Sequence, residues 1–456
     1  MTGSDFLSSD ECNAVFERVL RMAAGGGEVD LQIMSRWIGS VTWARNQISV
    51  ASDLRTTTLR IRRVIRGSAS EVSTVRLDDD GLREAIRMAE ESTRFEIEKP
   101  EQDNDTEVDE PILQPKLFSN ETYRASAEAR TNLVRELIAP TERAGFSSAG
   151  AFTCMAGGNA TFRSTGTRRY YPTTAVECSI TARDHAGTAS GWAGVNHYDI
   201  TKIDPQAIAA RALDKAQHSL KPQAVEPGRY TVILEPQATA ELFAQILGMA
   251  LDRQGAEGGI SPFSGRRMGW TRISEQVLDK RLTFSADPMD PDGGFIPYER
   301  YQGIPYRPVN WVDRGILREL SYTKRYALQS LGTEQALLDS QSFRLAAAPG
   351  VETTPIEQMI AKTERGILIT RFHGLELVDF PSLLSRGFTR DGVWLIEHGK
   401  VSHPAKNFRF TESPLFAFNK VLDIGPAVRV FKPEFAWVAP AVRVDDFSLT
   451  GLADAV

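Results

Sequence analysis

The fold of the first half of the chain is decided by residues 28–65, which read EVDLQIMSRWIGSVTWARNQISVASDLRTTTLRIRRVI. Apolar and polar side chains alternate there, with Val29 and Leu31 in one part and Leu59 and Ile61 in another. A period of two is typical of β-strands that bury one face and leave the other in water. We therefore predict an antiparallel meander with one core face and one solvated face.

Segments with helical spacing flank these strands. A first helix is predicted to begin near Ser9, and further helices are predicted over 80–92, 121–138 and 204–219. Between the last two helices, residues 148–194 are rich in Thr, Ser, Gly and Tyr at strand spacing. The first half of the chain is therefore predicted to mix helices with an antiparallel sheet.

Two stretches mark boundaries along the chain. Residues 98–110 are acidic and flanked by proline, which favours a solvated linker over a docking tail for a basic partner. Residues 221–228 hold two prolines and a glycine, and a predicted strand at 229–234 and a predicted helix at 238–252 follow them. The rest of the chain consists of short apolar runs separated by Gly, Pro and Asp, which is typical of a β-rich domain.

These patterns predict an α+β protein. Its N-terminal domain contains an antiparallel sheet, and its C-terminal domain is a β-rich barrel-like or layered sheet with few helices. The predicted segments are 1–97, an acidic linker at 98–115, a central segment at 116–221 and the C-terminal domain at 222–456.

Composition is that of a globular protein and excludes several classes. The 456 residues carry 53 basic and 59 acidic side chains, a formal charge of −6, so we expect no nucleic acid as a partner. Cys12, Cys154 and Cys178 are too few and too far apart for a disulfide framework, which favours a reducing cytoplasm. The acidic start at 1–10 has no signal-peptide pattern, and no apolar run approaches the ~20 residues of a membrane span. We expect a cytoplasmic protein with no membrane partner.

Candidate metal ligands are scarce. None of the six histidines stands three or four residues from another, so the sequence contains no helical metal-binding pair. Cys178, Asp184, His185 and His197 can meet across two adjacent strands. Their spacing matches no ligand set, however, and we interpret them as ordinary strand residues.

Other candidate sites have equally simple interpretations. Asp287, Asp290 and Asp292 superficially resemble a calcium loop, but no Glu closes it, and an exposed turn is favoured. His398 and His403 flank a Gly-Lys pair that is typical of a hairpin turn. Nucleophile motifs, P-loops and dinucleotide fingerprints are all missing. Residue chemistry alone therefore identifies no catalytic residue and no cofactor.

The C-terminal half nevertheless carries short motifs in a fixed order. They are Val232-Ile233-Leu234-Glu235-Pro236, Gly259-Ile260-Ser261-Pro262-Phe263, Gly265-Arg266-Arg267-Met268-Gly269, Val312-Asp313-Arg314-Gly315, Phe388-Thr389-Arg390-Asp391-Gly392 and Ala439-Pro440-Ala441-Val442-Arg443-Val444. No single motif is specific, but their order resembles the TldD/PmbA family. The N-terminal pattern is compatible, so the resemblance covers nearly the whole chain.

The resemblance also implies where a zinc site would lie. Active family members carry His-Glu-x-x-x-His on the helix after the first of these strands, and this chain has Ala244, Gln245, Gly248 and Met249 at the matching positions. Alanine has no donor atom, a thioether is a poor zinc ligand beside imidazole, and an amide is not a base. Active members also supply a cysteine from a C-terminal strand, and no cysteine lies beyond Cys178. We predict a degenerate motif with no metal ligand and no catalytic residue, on a helix that only packs.

By resemblance, then, the chain is a PmbA-type (TldE-type) subunit. Such a subunit would form a heterodimer with a TldD-type zinc metallopeptidase subunit, which holds the zinc, around a chamber that admits unfolded or small peptides. The first hypothesis is a non-catalytic subunit of this peptidase that forms the dimer interface and part of the chamber. A second is a stand-alone protein that binds extended peptides by strand addition. A third is an enzyme with metal-free chemistry in the ancestral pocket.

Overall fold

The computed structural model describes residues 5–23, 26–94, 110–246 and 248–453. No helix in these ranges is both long enough and apolar enough to cross a membrane. The helices are α1 Ser9–Met22, α2 Asp79–Ser92, α3 Asn120–Tyr123, α4 Ala127–Arg143, α5 Pro205–His218, α6 Pro236–Phe243, α7 Arg253–Glu257, α8 Lys324–Tyr326, α9 Ile356–Ala361 and α10 Pro414–Ala417.

The strands divide into two groups. Six belong to the N-terminal half: β1 Glu28–Ala44, β2 Gln47–Ile65, β3 Ser68–Thr74, β4 Ser147–Arg163, β5 Arg168–Arg183 and β6 Ser190–His197. The others belong to the C-terminal half: β7 Gly228–Leu234, β8 Leu282–Ala286, β9 Val309–Asp313, β10 Ile316–Leu317, β11 Phe343–Ala347, β12 Arg365–Asp379, β13 Leu384–Glu397, β14 Lys400–Pro404, β15 Phe408–Glu412, β16 Val421–Val430 and β17 Trp437–Leu452.

The first six strands form one antiparallel sheet in the order β3-β2-β1-β4-β5-β6. The predicted antiparallel sheet is confirmed. Strands from the predicted segments 1–97 and 116–221 meet where β1 pairs with β4, with Trp37 opposite Ala156. The two segments therefore build a single sheet. Most of the predicted acidic linker, residues 98–109, lies outside the described residues.

Helices cover one face of this sheet. Trp37, Cys154 and Val176 share that face because strand side chains alternate, and all three are buried in one core with α4 and α5. The same face continues toward α1 and α2, where Phe16 stacks on Phe162 with ring centroids 5.3 Å apart. The other face has no helix from the N-terminal half against it among these residues.

The C-terminal half is a mixed sheet of eleven strands, as the β-rich prediction expected. Its main path runs β10-β9-β8-β11-β17-β15-β13-β12-β7, with β14 on β13 and β16 on β17. Strand β7 pairs parallel with β12 and antiparallel with β17. The core centres on Phe243, whose ring lies 4.8 to 5.5 Å from those of Phe284, Phe343 and Phe418. The α+β class is confirmed.

The predicted helix over 121–138 is divided in the structure. It consists of α3 and α4, because Ser126 stands between them as the N-cap of the second helix. The Ser126 side chain accepts a hydrogen bond from the Ala129 N–H at 3.1 Å. Serine competes for backbone groups in this way, so it starts a new helix more readily than it continues an old one.

A buried arginine ties α4 to the sheet. Arg130 is 1 % exposed, and its Nη2 donates to both carboxylate oxygens of Asp53 at 2.9 Å. Its guanidinium lies 5.1 Å from the ring of Trp37, whose indole N–H donates to Asp53 at 2.8 Å. A charge buried to this degree is tolerated only beside an opposite charge with good geometry. Asp53 is therefore what allows Arg130 to be buried.

We predict that Asp53→Ala lowers the free energy of unfolding by about 3 kcal/mol, because Arg130 then stays buried without a counter-charge. The matched control is Asp80→Ala, which removes an exposed carboxylate that pairs with Arg83 at 2.9 Å. That change should cost less than about 1 kcal/mol. Urea denaturation measures both. Equal losses would contradict the role given to Asp53.

Candidate functional site

The degenerate motif positions lie where a helix ends. α6 stops at Phe243, and two short 3₁₀ turns follow at Ala244–Ile246 and Gly248–Leu251. The predicted continuous helix over 238–252 is therefore wrong. Gly248 also rules out an α-helix that runs through this segment, because its φ of +66° belongs to the left-handed region. The Gly248 N–H donates instead to the Asp339 carboxylate at 2.8 Å.

These positions do not offer a zinc ligand set. Ala244 packs against the core, and Gln245 is half-buried with an amide that is neither an imidazole-like ligand nor a base. Leu242 and Ile246 are buried in the core, whereas the side chain of Met249 lies outside the described residues. Across the described ranges, no three His, Cys, Asp or Glu side chains converge as a metal site. The residues that are described do not fit a zinc ion.

The strand residues Cys178, Asp184, His185 and His197 do not converge on one site. Cys178 is buried on the helix-covered face, where burial raises the pKa of its thiol to about 12. Asp184 accepts the Thr188 N–H at 2.7 Å in the turn between β5 and β6. His185 is exposed, and His197 lines a cavity at the end of β6.

The aspartates of the superficial calcium loop are neutralised by an arginine. Arg344 donates to the two Asp290 oxygens at 2.5 and 2.7 Å and to Asp292 at 2.9 Å. Asp287 accepts the Met289 N–H at 2.8 Å, as a turn-forming aspartate does. The loop is therefore a turn that the Arg344 side chain stabilises.

The predicted hairpin turn near the last histidines is present. His398 and Gly399 join β13 to β14, and both have positive φ, +50° and +74°. Two left-handed residues between antiparallel strands are typical of a type I′ turn. Both imidazoles belong to this hairpin, and His398 contacts the Glu364 carboxylate at 2.5 Å.

A cavity of about 320 Å³ lies between the N-terminal sheet and the C-terminal domain. One wall is the sheet face that the helices leave uncovered, with Arg36 of β1, Gly157 of β4, and Thr173 and Glu177 of β5. The register places Arg36 opposite Gly157 and Gly157 opposite Thr173, so these positions share one face. The face that was predicted to be solvated is therefore covered, in this region, by another domain.

The opposite wall belongs to the C-terminal domain and is tied to the sheet by hydrogen bonds. The Tyr298 hydroxyl donates to the Asn159 carbonyl at 2.8 Å, and the Asn196 amide donates to the Lys432 carbonyl at 2.8 Å. Asp339 lines the same cavity. Because Asp339 also accepts the Gly248 N–H, the cavity is built against the degenerate motif segment.

Burial changes the pKa of several groups in the cavity wall. It raises the pKa of Asp339, Glu177 and Glu299, and backbone N–H donors oppose that shift at each of them. Burial also lowers the pKa of His197, and the nearby Arg429 guanidinium lowers it further. Burial that acts on three carboxyl groups and one imidazole of the same wall indicates a partly enclosed site. Such a site can distinguish polar ligands.

This cavity could not be predicted from the sequence. Arg36, Glu177 and Asn196 stand on the polar side of the strand alternation, which the sequence indicates only as a face outside the helix-covered core. Period-two alternation is the same whether that face meets water or a polar wall of a second domain. No local signal could have found these residues.

Comparison with known proteins places the chain in a class. A model described as the PmbA/TldA metallopeptidase C-terminal domain matches residues 227–451. The C-terminal domain is thus of a metallopeptidase-related type. This C-terminal domain belongs to the TldD/PmbA family. No curated protein sequence matches it.

Solved structures share the fold over nearly the full length. TldE from Thermococcus kodakarensis has a TM-score of 0.82 at 17% identity and covers 96% of this chain and 100% of its own. A proposed modulator of a DNA gyrase from Thermotoga maritima has a TM-score of 0.81 at 16% identity, over 96% of this chain and 99% of its own. A proposed modulator of DNA gyrase from Bacteroides thetaiotaomicron has a TM-score of 0.81 at 17% identity, and the match covers 97% of this chain and 99% of that protein. At these identities the likeness shows the fold alone.

We predict that Asp339 makes the folded state less stable as pH rises. Its raised pKa means that the folded protein holds the proton more tightly than the unfolded chain does. The cost is absent below the unfolded pKa of about 4 and grows as pH rises toward the folded pKa. The unfolding free energy of the wild type minus that of Asp339→Asn should therefore fall as pH rises above about 4, as measured by urea denaturation across pH.

Asp290→Asn is the control, because its stability difference should change with pH in the opposite direction. Burial opposes the shift, but the hydrogen bonds from Arg344 lower the pKa of Asp290 overall. Its stabilising contribution is present above the unfolded pKa and is lost as pH falls through the folded value. The same difference should therefore rise with pH for Asp290. Identical slopes for the two variants would show that burial does not control Asp339.

Proposed function

We propose that this chain is the non-catalytic, TldE-type (PmbA-type) subunit of a two-subunit zinc metallopeptidase. The observation that carries the proposal is a metallopeptidase-family chain whose motif segment offers no zinc ligand. Ala244 and Gln245 replace a ligand and a base, and the helix that would present them ends at Phe243. A peptidase subunit without a metal site of its own needs a partner that has one.

The partner in this proposal is a TldD-type subunit that carries His-Glu-x-x-x-His and the zinc. This chain contributes the dimer interface and part of a chamber for unfolded or small peptides. The structural likeness to TldE supports a partner of this kind. Function in the cytoplasm belongs to the same proposal, and the free, buried thiols of Cys12, Cys154 and Cys178 suit a reducing compartment.

A stand-alone peptide-binding protein is the second candidate. The observation that favours it is the cavity between the two domains, which is formed within a single chain and needs no partner. The two candidates differ in one outcome, because only the subunit proposal expects a one-to-one complex with a TldD-type chain in size-exclusion chromatography. The third hypothesis, metal-free catalysis in the ancestral pocket, gains no support from Gln245.

We predict an asymmetry between the two subunits of the assembled complex. Gln245→Ala in this chain should leave peptidase activity within a few-fold of the wild type, because its amide does not take part in proton transfer. Changing the Glu of the partner's motif to Gln should lower the rate by about 10²–10⁴-fold, which is the contribution typical of a general base. Initial rates on an unfolded peptide, with zinc supplied, measure both changes.

Size-exclusion chromatography of each variant complex is the control, since it separates a loss of chemistry from a loss of assembly. If Gln245→Ala abolished activity in an intact complex, hidden chemistry would lie in this chain and the proposal would be wrong.

A further inference from the structure

Among the described residues, no carboxylate forms an ion pair with Arg429, a cation in the cavity wall. Arg429 of β16 lines the cavity, and its Nη1 donates to the Asp292 carbonyl at 2.5 Å. Its Nε is buried and forms no hydrogen bond with any described residue. The nearby carboxylates of Asp290 and Asp292 are both engaged by Arg344. The charge of Arg429 is therefore available to an anionic group in the cavity.

His197 and Tyr198 lie in the same part of the wall. The His197 Nδ1 accepts the Asp199 N–H at 2.9 Å, so the neutral ring carries its proton on Nε2 and that atom is a donor. The imidazole stacks on Tyr198 with centroids 4.6 Å apart, which fixes its orientation. A guanidinium beside an oriented imidazole N–H is the kind of donor set that binds a carboxylate.

Hydrogen-bond acceptors lie next to these donors. Asn196 is 6 % exposed, and its amide nitrogen donates to the carbonyls of Lys432 and Phe435 at 2.8 and 3.0 Å. Its Oδ1 is buried and accepts no hydrogen bond from any described residue. Glu177 stands directly opposite Asn196 across β5 and β6 and lines the same cavity. The wall therefore offers acceptors for N–H groups as well as donors for an anion.

We propose that this cavity binds the carboxyl-terminal end of a short peptide. The terminal carboxylate lies on Arg429 and the His197 Nε2–H, and a backbone N–H of the peptide donates to the Asn196 Oδ1. A volume of about 320 Å³ suits a ligand of a few residues. A phosphate group, which has no N–H donors, would leave Asn196 unmatched and would lie near Glu177. The proposal deepens the function proposed above and rests on it for the choice of peptides.

The first test compares tetraalanine with its C-terminal amide by isothermal titration calorimetry on the full-length chain. We expect the free acid to bind and the amide to bind about 10- to 100-fold more weakly, because a hydrogen-bonded charge is lost. Inorganic phosphate is the third arm, and it should not compete with the peptide. Equal affinity for acid and amide, competition by phosphate, or no binding of the acid at millimolar concentration would overturn the proposal.

The second test changes the cavity. Arg429→Gln should weaken tetraalanine binding by a similar factor, whereas Arg266→Gln, on an exposed loop away from the cavity, should not. Arg429→Lys keeps the charge without the planar fork, so it should fall between the two. Thermal unfolding of each variant shows whether it folds. If Arg429→Gln does not fold, the proposal is still tested by Arg429→Lys and by the comparison of tetraalanine with its C-terminal amide.

These measurements need no partner subunit, so their outcome does not depend on whether the subunit proposal is correct. A TldD-type complex that forms normally with a chain that ignores tetraalanine would overturn the cavity proposal alone. Carboxylate-dependent binding by a chain that never forms the complex would overturn the two-subunit function and favour the stand-alone peptide-binding protein.

Discussion

The structure depends on a constraint that every β-sheet obeys, which is that side chains alternate between its two faces. In the N-terminal sheet one face is apolar and packs against helices, and the other carries polar residues such as Arg36, Glu177 and Asn196. The C-terminal domain docks on this polar face through hydrogen bonds such as that from Tyr298 to Asn159. The cavity lies between the two domains on this polar face.

The predicted motif segment and the cavity are joined through Asp339. This side chain lines the cavity and accepts the N–H of Gly248, a residue whose left-handed φ does not fit an α-helix. A helical zinc motif needs a continuous helix, so that both imidazoles lie on one face. Here α6 ends at Phe243, before the predicted motif positions. Histidines placed at Ala244 and Met249 would therefore not share one face of a continuous α-helix.

Much of the fold could be predicted from local patterns, because alternation and capping act over a few residues. The antiparallel sheet, the β-rich C-terminal domain and the turn at His398 all follow from such patterns. The helix over 238–252 could not be predicted correctly, because the Gly248 N–H donates to Asp339, a residue 91 positions away that no local pattern indicates.

The candidate site was less predictable than the fold. The positions Ala244, Gln245, Gly248 and Met249 came from a resemblance in the order of motifs. The cavity came from no sequence signal, since a polar strand face gives no indication of the domain that will cover it. Arg429 and Asn196 lie 233 positions apart, and only the docking of the two domains brings them to one wall.

The central proposal is that this chain, whose C-terminal domain is of a metallopeptidase type, holds no zinc itself. Metal analysis of the purified chain, alone and in complex with a TldD-type subunit, tests it most directly after dialysis against a weak chelator. The account predicts no stoichiometric zinc in the isolated chain and zinc in the complex, lost when the partner's motif histidines are changed. Stoichiometric zinc that stays with the isolated chain through dialysis would contradict the claim.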